Sequence, residues 1–322
     1  MIIDSHNPAV LIIAYRREAN IRKILNLCIS NSIKRIYISL DGPKDKNPNS
    51  INDYLSIIEM INSYKNSIYY EIHLLKRPRN RGCAASVLSA IDWVFNHEES
   101  AIILEDDCIP ANSFFEFSRS SIPVIESSED IWAACGSQFM PSNLMSDDWF
   151  ISRYGILWGW VTTKTKWAVI SKLLKSGKFR YNFNLSIQEN VYWREGALRA
   201  ISGWVDSWDT LFQQQLIANN KYVIQSKSNL VSNIGNDEFA THTFDLTKIL
   251  HLKFDSFQYA NKLPKKASAV DAWYRHNFYK IQLRHLLSTK LTKIRDILMF
   301  FFIPHKKLYL RWENANLDHT NC

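Results

Sequence analysis

Three consecutive carboxylates, Glu105, Asp106 and Asp107, follow the apolar run Ala101 to Leu104. Adjacent acids repel one another when ionised, and a divalent cation is the usual relief for such crowding. A solvated acidic turn is the plainer alternative, and what else the chain brings to the same place decides between the two. Arg16 and Arg17 follow another apolar run, Ala9 to Ala14, and either suits a phosphate, because guanidinium pairs phosphate oxygens bidentately. Asp41 ends a third run and could accept a hydrogen bond from a base or ribose, or close an Asx turn before Gly42-Pro43. Arg77, Arg79 and Arg81 surround Asn80 in a basic turn. Asp209 stands beside Trp208 where a helix is expected to begin. It fits an N-cap, or a base that lifts a proton from an attacking hydroxyl, and Asp206 competes for the second role. His242, in Thr241-His242-Thr243, has the chemistry of a metal or phosphate contact. Trp158-Gly159-Trp160 reads equally as core or as a stacking wall for a sugar ring.

These residues need a scaffold that brings them together. Ala9–Ala14, residues 35–40, 68–75, 101–104 and 131–136 read as strands, the first and fourth as continuously apolar as buried parallel strands are. Helical patterns fall between them near residues 18–28, 51–63, 84–95 and 111–125, the last opened by Pro110. Further helices are expected over 164–174 and from Asp209 to about Asn219, with a strand over 221–225; residues 176–202 carry no clear periodicity. Alternation at this spacing predicts βαβ units and a parallel sheet, and open α/β sheets bind ligands beyond the carboxyl ends of their strands.

The bulk properties agree. With 46% hydrophobic and 22% charged residues, the 322-residue chain has the makeup of a globular protein with a real core. A net charge of +8 suits an anionic partner. Five scattered cysteines without CxxC spacing frame neither a disulfide scaffold nor a zinc site, and suggest a reducing, cytoplasmic setting. The N-terminus shows no signal-peptide pattern, and the longest apolar stretch late in the chain, residues 297–303, is far short of the roughly 20 residues that span a bilayer.

Taken in order, the motifs resemble those of nucleotide-sugar-dependent glycosyltransferases of the GT-A fold. The likeness is to the group of animal N-acetylglucosaminyltransferase I and its bacterial relatives. It runs over about residues 8–245 through Ile13-Ala14-Tyr15-Arg16-Arg17, Ile38 to Gly42, Glu105 to Pro110 with Phe114-Phe115, Trp158-Gly159-Trp160, Trp208-Asp209, Asn229 to Gly235 and Ala240 to Thr243. One departure stands out: the animal enzyme has two adjacent acids before its Trp, whereas here Asp206 and Asp209 flank Ser207-Trp208.

The resemblance implies an α/β, mixed but mostly parallel sheet flanked by helices. Residues 1–250 would form the catalytic domain, with a nucleotide-binding half (8–137) and an acceptor half (138–250). Residues 251–322 would be a basic helical C-terminal region. It also implies inverting transfer of a hexosyl or N-acetylhexosaminyl group from a nucleoside-diphosphate sugar, with Mn²⁺ or Mg²⁺. The implied donor contacts are Ala14, Arg17, Asp41, Arg81, Glu105, Asp106 and Trp160, the metal contacts Asp107 and His242, and the base Asp209, or else Asp206. The acceptor would be a glycan or a lipid-linked saccharide. Basic residues around 297–303 suggest a helix lying on an anionic membrane, hence a peripheral position at its inner face, or else packing on the domain. Two other classes compete. A metal-dependent nucleotidyltransferase of sugar phosphates would also set acids at strand ends, but should carry a Gly-rich loop after the first strand, and Tyr15 to Asn20 has no Gly. A non-catalytic anion- or nucleic-acid-binding protein would explain the charge, yet acids at the rim would repel such a polyanion, so nucleic acid is not an expected partner.

Overall fold

Strand β1 (Ala9–Ala14) has all six residues buried, and its side chains divide by alternation. Ala9, Leu11 and Ile13 enter one apolar core, and Val10, Ile12 and Ala14 enter another on the opposite face. A strand covered on both sides must read as a continuous apolar run, which is why its sequence signal is strong. The computed structural model describes residues 7–44, 48–235, 257, 262–281, 312–314 and 316.

After β1 the chain runs through α1 (Glu18–Ser30), β2 (Arg35–Leu40), α2 (Pro48–Tyr64), β3 (Glu71–Lys76), α3 (Cys83–Phe95) and β4 (Ser100–Glu105). A short strand β5 (Cys108–Pro110) precedes α4 (Asn112–Ser127), β6 (Ile131–Cys135), β7 (Trp149–Ser152), β8 (Trp160–Thr163) and α5 (Lys164–Ser176). Then come α6 (Ile187–Ile201), α7 (Asp209–Ala218), β9 (Tyr222–Ser226), β10 (Val231–Asn233), β11 (Lys265–Lys266) and α8 (Ser268–Trp273). The main sheet has the order β11-β7-β9-β6-β8-β4-β1-β2-β3. Strands β1 to β4, β6 and β9 point one way, while β7, β8 and β11 are reversed, so the sheet is mixed and mostly parallel. The expected α/β class is the observed one.

Helices α3, α5, α6 and α7 cover one face and α1, α2 and α4 the other. A separate two-stranded ribbon pairs β5 with β10. Pro110 therefore ends a strand instead of opening a helix, and α4 starts two residues later, after Ala111. The C-terminal region, expected as a basic helical appendage, contributes to the body of the domain where it is described. Strand β11 extends the sheet beside β7, α8 packs in a third core cluster, and Trp312 is buried against the α3–α5 side. Trp312 and Trp167 both donate their indole N–H to Asp92, at 2.9 and 2.8 Å. The apolar and basic stretch around 297–303 lies outside the described residues.

Candidate functional site

The carboxyl ends of β1 to β4 meet along one edge of the sheet. The N–H of Asp41 donates to the Ala14 carbonyl and that of Asp106 to the Ile13 carbonyl, each at 3.0 Å. Consecutive carbonyls of the central strand thus hold the ends of its two neighbours in register. The carboxylate of Asp41 is 6% exposed and accepts the N–H groups of Gly42 (3.0 Å) and Arg81 (3.0 and 3.2 Å), which fastens the β3–α3 loop to β2. Burial raises its pKa to about 7, against the opposing pull of those bonds.

At the end of β4 the three acids differ in environment. Asp106, 4% exposed, accepts the Tyr15 N–H and the Arg17 guanidinium at 2.8 Å; Arg17 lies 3.7 Å from Asp107 as well. Burial and then the charge of Asp107 raise Asp106 to about 7. Glu105 is raised to about 8 by burial, then by Asp107, Asp209 and Asp106, and a hydrogen bond with the Trp208 side chain opposes that rise. The β5–β10 ribbon brings the Asn229–Gly235 segment against this turn, with the Ile234 N–H on the Asp107 carbonyl at 2.8 Å. A methyl group on Gly235 would meet Asp107 Oδ2 at 2.4 Å, so the absence of a side chain there keeps the carboxylate free of a clash.

Asp209 is the first residue of α7, exposed, with its carboxylate accepting from the Ser207 hydroxyl and from the Thr210 N–H at 2.7 Å. It lines a cleft of about 460 Å³ formed by α6, α7 and Tyr279, whose wall includes Gln188, Tyr192, Glu195 and Arg199. The convergence is visible at Cys83, the first residue of α3. Its thiol is pushed well above its usual range by burial and then by Glu105, Asp206, Asp209 and Asp107. The charges of four carboxylates from two distant parts of the chain therefore all act on this thiol, and no reactive thiolate is stabilised there.

The structure places four of the expected residues as follows. Asp206, the alternative base, lies at the start of α3. Its carboxylate accepts the N–H groups of Cys83 (2.8 Å) and Ala84 (3.0 Å), capping α3 from across the chain. Gly82 (φ 81°) permits this, since a Cβ there would meet Asp206 Oδ2 at 2.6 Å. Trp160, expected to face the donor, is 0% exposed and stacks under Trp208, with ring centroids 5.6 Å apart. Arg77 is buried too and donates to the Ser89 hydroxyl at 2.7 Å, which removes it from the positive rim. Ala14 acts through its carbonyl as the anchor of Asp41. His242 lies outside the described residues.

The cleft-lining helix α6 falls in the segment whose sequence shows no clear period. Its signal is Ser186-Ile187-Gln188-Glu189, an N-cap sequence in which the Ser186 hydroxyl accepts the Glu189 N–H at 3.3 Å.

The residues at the acidic turn fit a divalent cation in a particular way. Among the described residues, no three His, Cys, Asp or Glu side chains converge to hold one by themselves. Asp107, held clear by Gly235 beside two acids of raised pKa, suits a cation that takes its other ligands from substrate phosphates, as Mg²⁺ commonly does.

No protein-family model matches the chain, and no curated protein matches it. Among solved structures the chain is similar to a UDP-glucose pyrophosphorylase complexed with UDP-glucose. The identity is 8% and the TM-score 0.36, over 68% of this chain and 89% of that one. An inositol-1-phosphate CTP transferase from T. maritima shares 10% identity at a TM-score of 0.35, over 70% and 88%. HddC from Yersinia pseudotuberculosis shares 14% at 0.28, over 49% and 77%. Likeness this distant carries no argument about activity, and the fold is read from the sheet itself.

Proposed function

We propose that this chain is a metal-assisted transferase acting on a nucleotide sugar, and specifically an inverting glycosyltransferase. The observation that carries the proposal is the position of Asp209. It lies close enough to Glu105 to raise that acid's pKa, and it also lines the cleft between α6 and α7. A carboxylate between a donor rim and a second cavity is placed to serve two substrates.

On this reading Asp41 and the Ala14 loop receive the nucleoside, and Glu105 and Asp106 contact the ribose or sugar. Arg17 faces the diphosphate, and Arg81 lies at the edge of the same rim. Asp107 would hold Mn²⁺ or Mg²⁺, which when bound offsets charge on the departing diphosphate. The acceptor hydroxyl lies in the cleft, gives its proton to Asp209 and attacks the anomeric carbon. The new carbon–oxygen bond forms as the bond to the diphosphate oxygen breaks, with inversion. Trp208 ties the two halves together, bonded to Glu105 and one residue before Asp209.

A second reading, nucleotidyl transfer to a sugar phosphate, uses the same strand-end acids, and two of the solved structures above bear names of that class. Against it, the β1–α1 connection is only Tyr15 to Arg17, without glycine. Such a connection leaves no room for a Gly-rich phosphate loop. Incubation with a panel of nucleotide sugars and Mn²⁺ separates the two. Released nucleoside diphosphate supports glycosyl transfer. Nucleoside triphosphate formed from nucleotide sugar and pyrophosphate supports the second reading and overturns the first.

A further inference from the structure

Residues 149–188 contain seven basic residues and no acidic one. The end of this stretch, between α5 and α6, is a turn that holds a phenylalanine out in water. Phe183 is 97% exposed and Ile187, on the first turn of α6, is 72% exposed. Lys178 and Arg180 just before them are exposed as well.

The projection is fixed by a buried amide framework. Asn182, itself buried, accepts the N–H of Asn184 at 2.9 Å and donates to the Ile217 carbonyl at 2.7 Å. Its own N–H goes to Asn190 at 2.7 Å, and Gln215 reaches the Lys178 carbonyl at 3.1 Å. A turn pinned on both sides cannot fold Phe183 inward, so the exposed ring is a built feature. The nearest acid in sequence, Glu189, is buried and bonded to the Tyr154 hydroxyl, and so does not offset the positive surface.

From this pairing we infer that the α5–α6 turn docks the protein on an anionic membrane surface, with Phe183 and Ile187 entering the interface and Lys178 and Arg180 against the headgroups. Exposed apolar side chains flanked by cations are what such a surface binds. A projecting tip suits a bilayer better than a protein partner, which needs a broad complementary face of roughly 800 Å². Lys164 and Lys175 are paired with Glu99 and Asp92, so it is Lys178 and Arg180, at the turn itself, that select an anionic surface. Gln188, adjoining Ile187, lines the cleft described above, so docking would set the cleft mouth at headgroup level. No helix among the described residues is long and apolar enough to cross a membrane, and contact through this turn needs none.

The test is co-sedimentation of the full chain with vesicles of phosphatidylglycerol and phosphatidylcholine, or of phosphatidylcholine alone. It needs no turnover, so its outcome is independent of the transferase reading. The expected result is binding to the anionic vesicles only, weakened by salt. Phe183→Ser with Ile187→Ser should reduce it by roughly tenfold or more, the scale of burying two apolar side chains. Lys178→Glu with Arg180→Glu should reduce it similarly, and keeps the inference testable should the first pair fold poorly. The inference is overturned by absence of wild-type binding, by binding of both double variants undiminished from wild type, or by loss of a wild-type dimer on replacing Phe183, which would mean that a second copy covers the turn.

Discussion

Asp206 accepts the backbone N–H of Cys83 at 2.8 Å, so the loop that leads into Asp209 is fastened to the start of α3. This bond joins the half of the chain carrying the strand-end acids to the half carrying the cleft. It also separates the roles of two carboxylates three residues apart. Asp206→Ala should lower stability by about 0.5–2 kcal/mol, the usual range for a lost helix cap. Asp209→Asn should leave the melting temperature within a degree or two and abolish sugar transfer while donor binding persists. Paired thermal melts and turnover assays check both; loss of transfer in Asp206→Asn with stability unchanged would reverse the assignment.

Arg17 bridges Asp106 and Asp107 from a largely buried position. Its removal leaves Asp106, buried, without its cation. Arg17→Met should therefore destabilise the fold by roughly 1 kcal/mol or more, less than the roughly 3–5 kcal/mol of a fully ionised buried pair, because Asp106, already raised to about 7, can take up a proton instead. Urea denaturation at neutral pH measures it. A loss below about 0.5 kcal/mol would show that Asp106 does not depend on this partner.

Stability should fall as pH rises from about 4 to 8 when no divalent cation is present. Asp41 and Asp106 have folded pKa values raised to about 7 and Glu105 to about 8, all above their unfolded values. The native state therefore holds more protons than the unfolded chain across that window, and each deprotonation favours unfolding. A cation held by Asp107 offsets the same charges. The stabilisation given by Mn²⁺ with a nucleoside diphosphate should thus be larger at pH 8 than at pH 5, as read by thermal shift. Equal shifts at both pH values would contradict this origin.

Trp160→Ala should destabilise the fold by about 3–5 kcal/mol, as removal of a buried Trp does, with the Kd for nucleotide little changed in the folded fraction. Calorimetric titration distinguishes this from a donor contact, whose loss would weaken binding at unaltered stability.

The sheet was legible because strands buried on both faces leave unbroken apolar runs, as β1 and β4 do, and polar residues after such runs mark one edge of it. Asp41, Glu105, Asp106 and Asp107 were found by that rule and share the edge. What the pattern could not give was direction of burial among isolated residues. Trp160 and Arg77 sit at strand ends in sequence, yet one lies beneath Trp208 and the other points to Ser89. The division of labour between Asp206 and Asp209 depends on a contact spanning more than a hundred residues, which spacing does not reveal. Helix α6 was missed because its apolar period is weak, with Gln188, Glu195 and Arg199 set among Val191, Tyr192 and Trp193 on the face toward the cleft, although Ser186 and Glu189 marked its start.

The central claim is that Asp107 and Asp209 act on one bound nucleotide sugar, and the most direct measurement is nucleoside diphosphate release with acceptor present. Release by the wild type should depend on Mn²⁺ or Mg²⁺, with at least a thousandfold loss in Asp107→Ala and in Asp209→Asn, on the scale of about 4 kcal/mol in the transition state. Near-normal release in EDTA, or by Asp107→Ala, would contradict it.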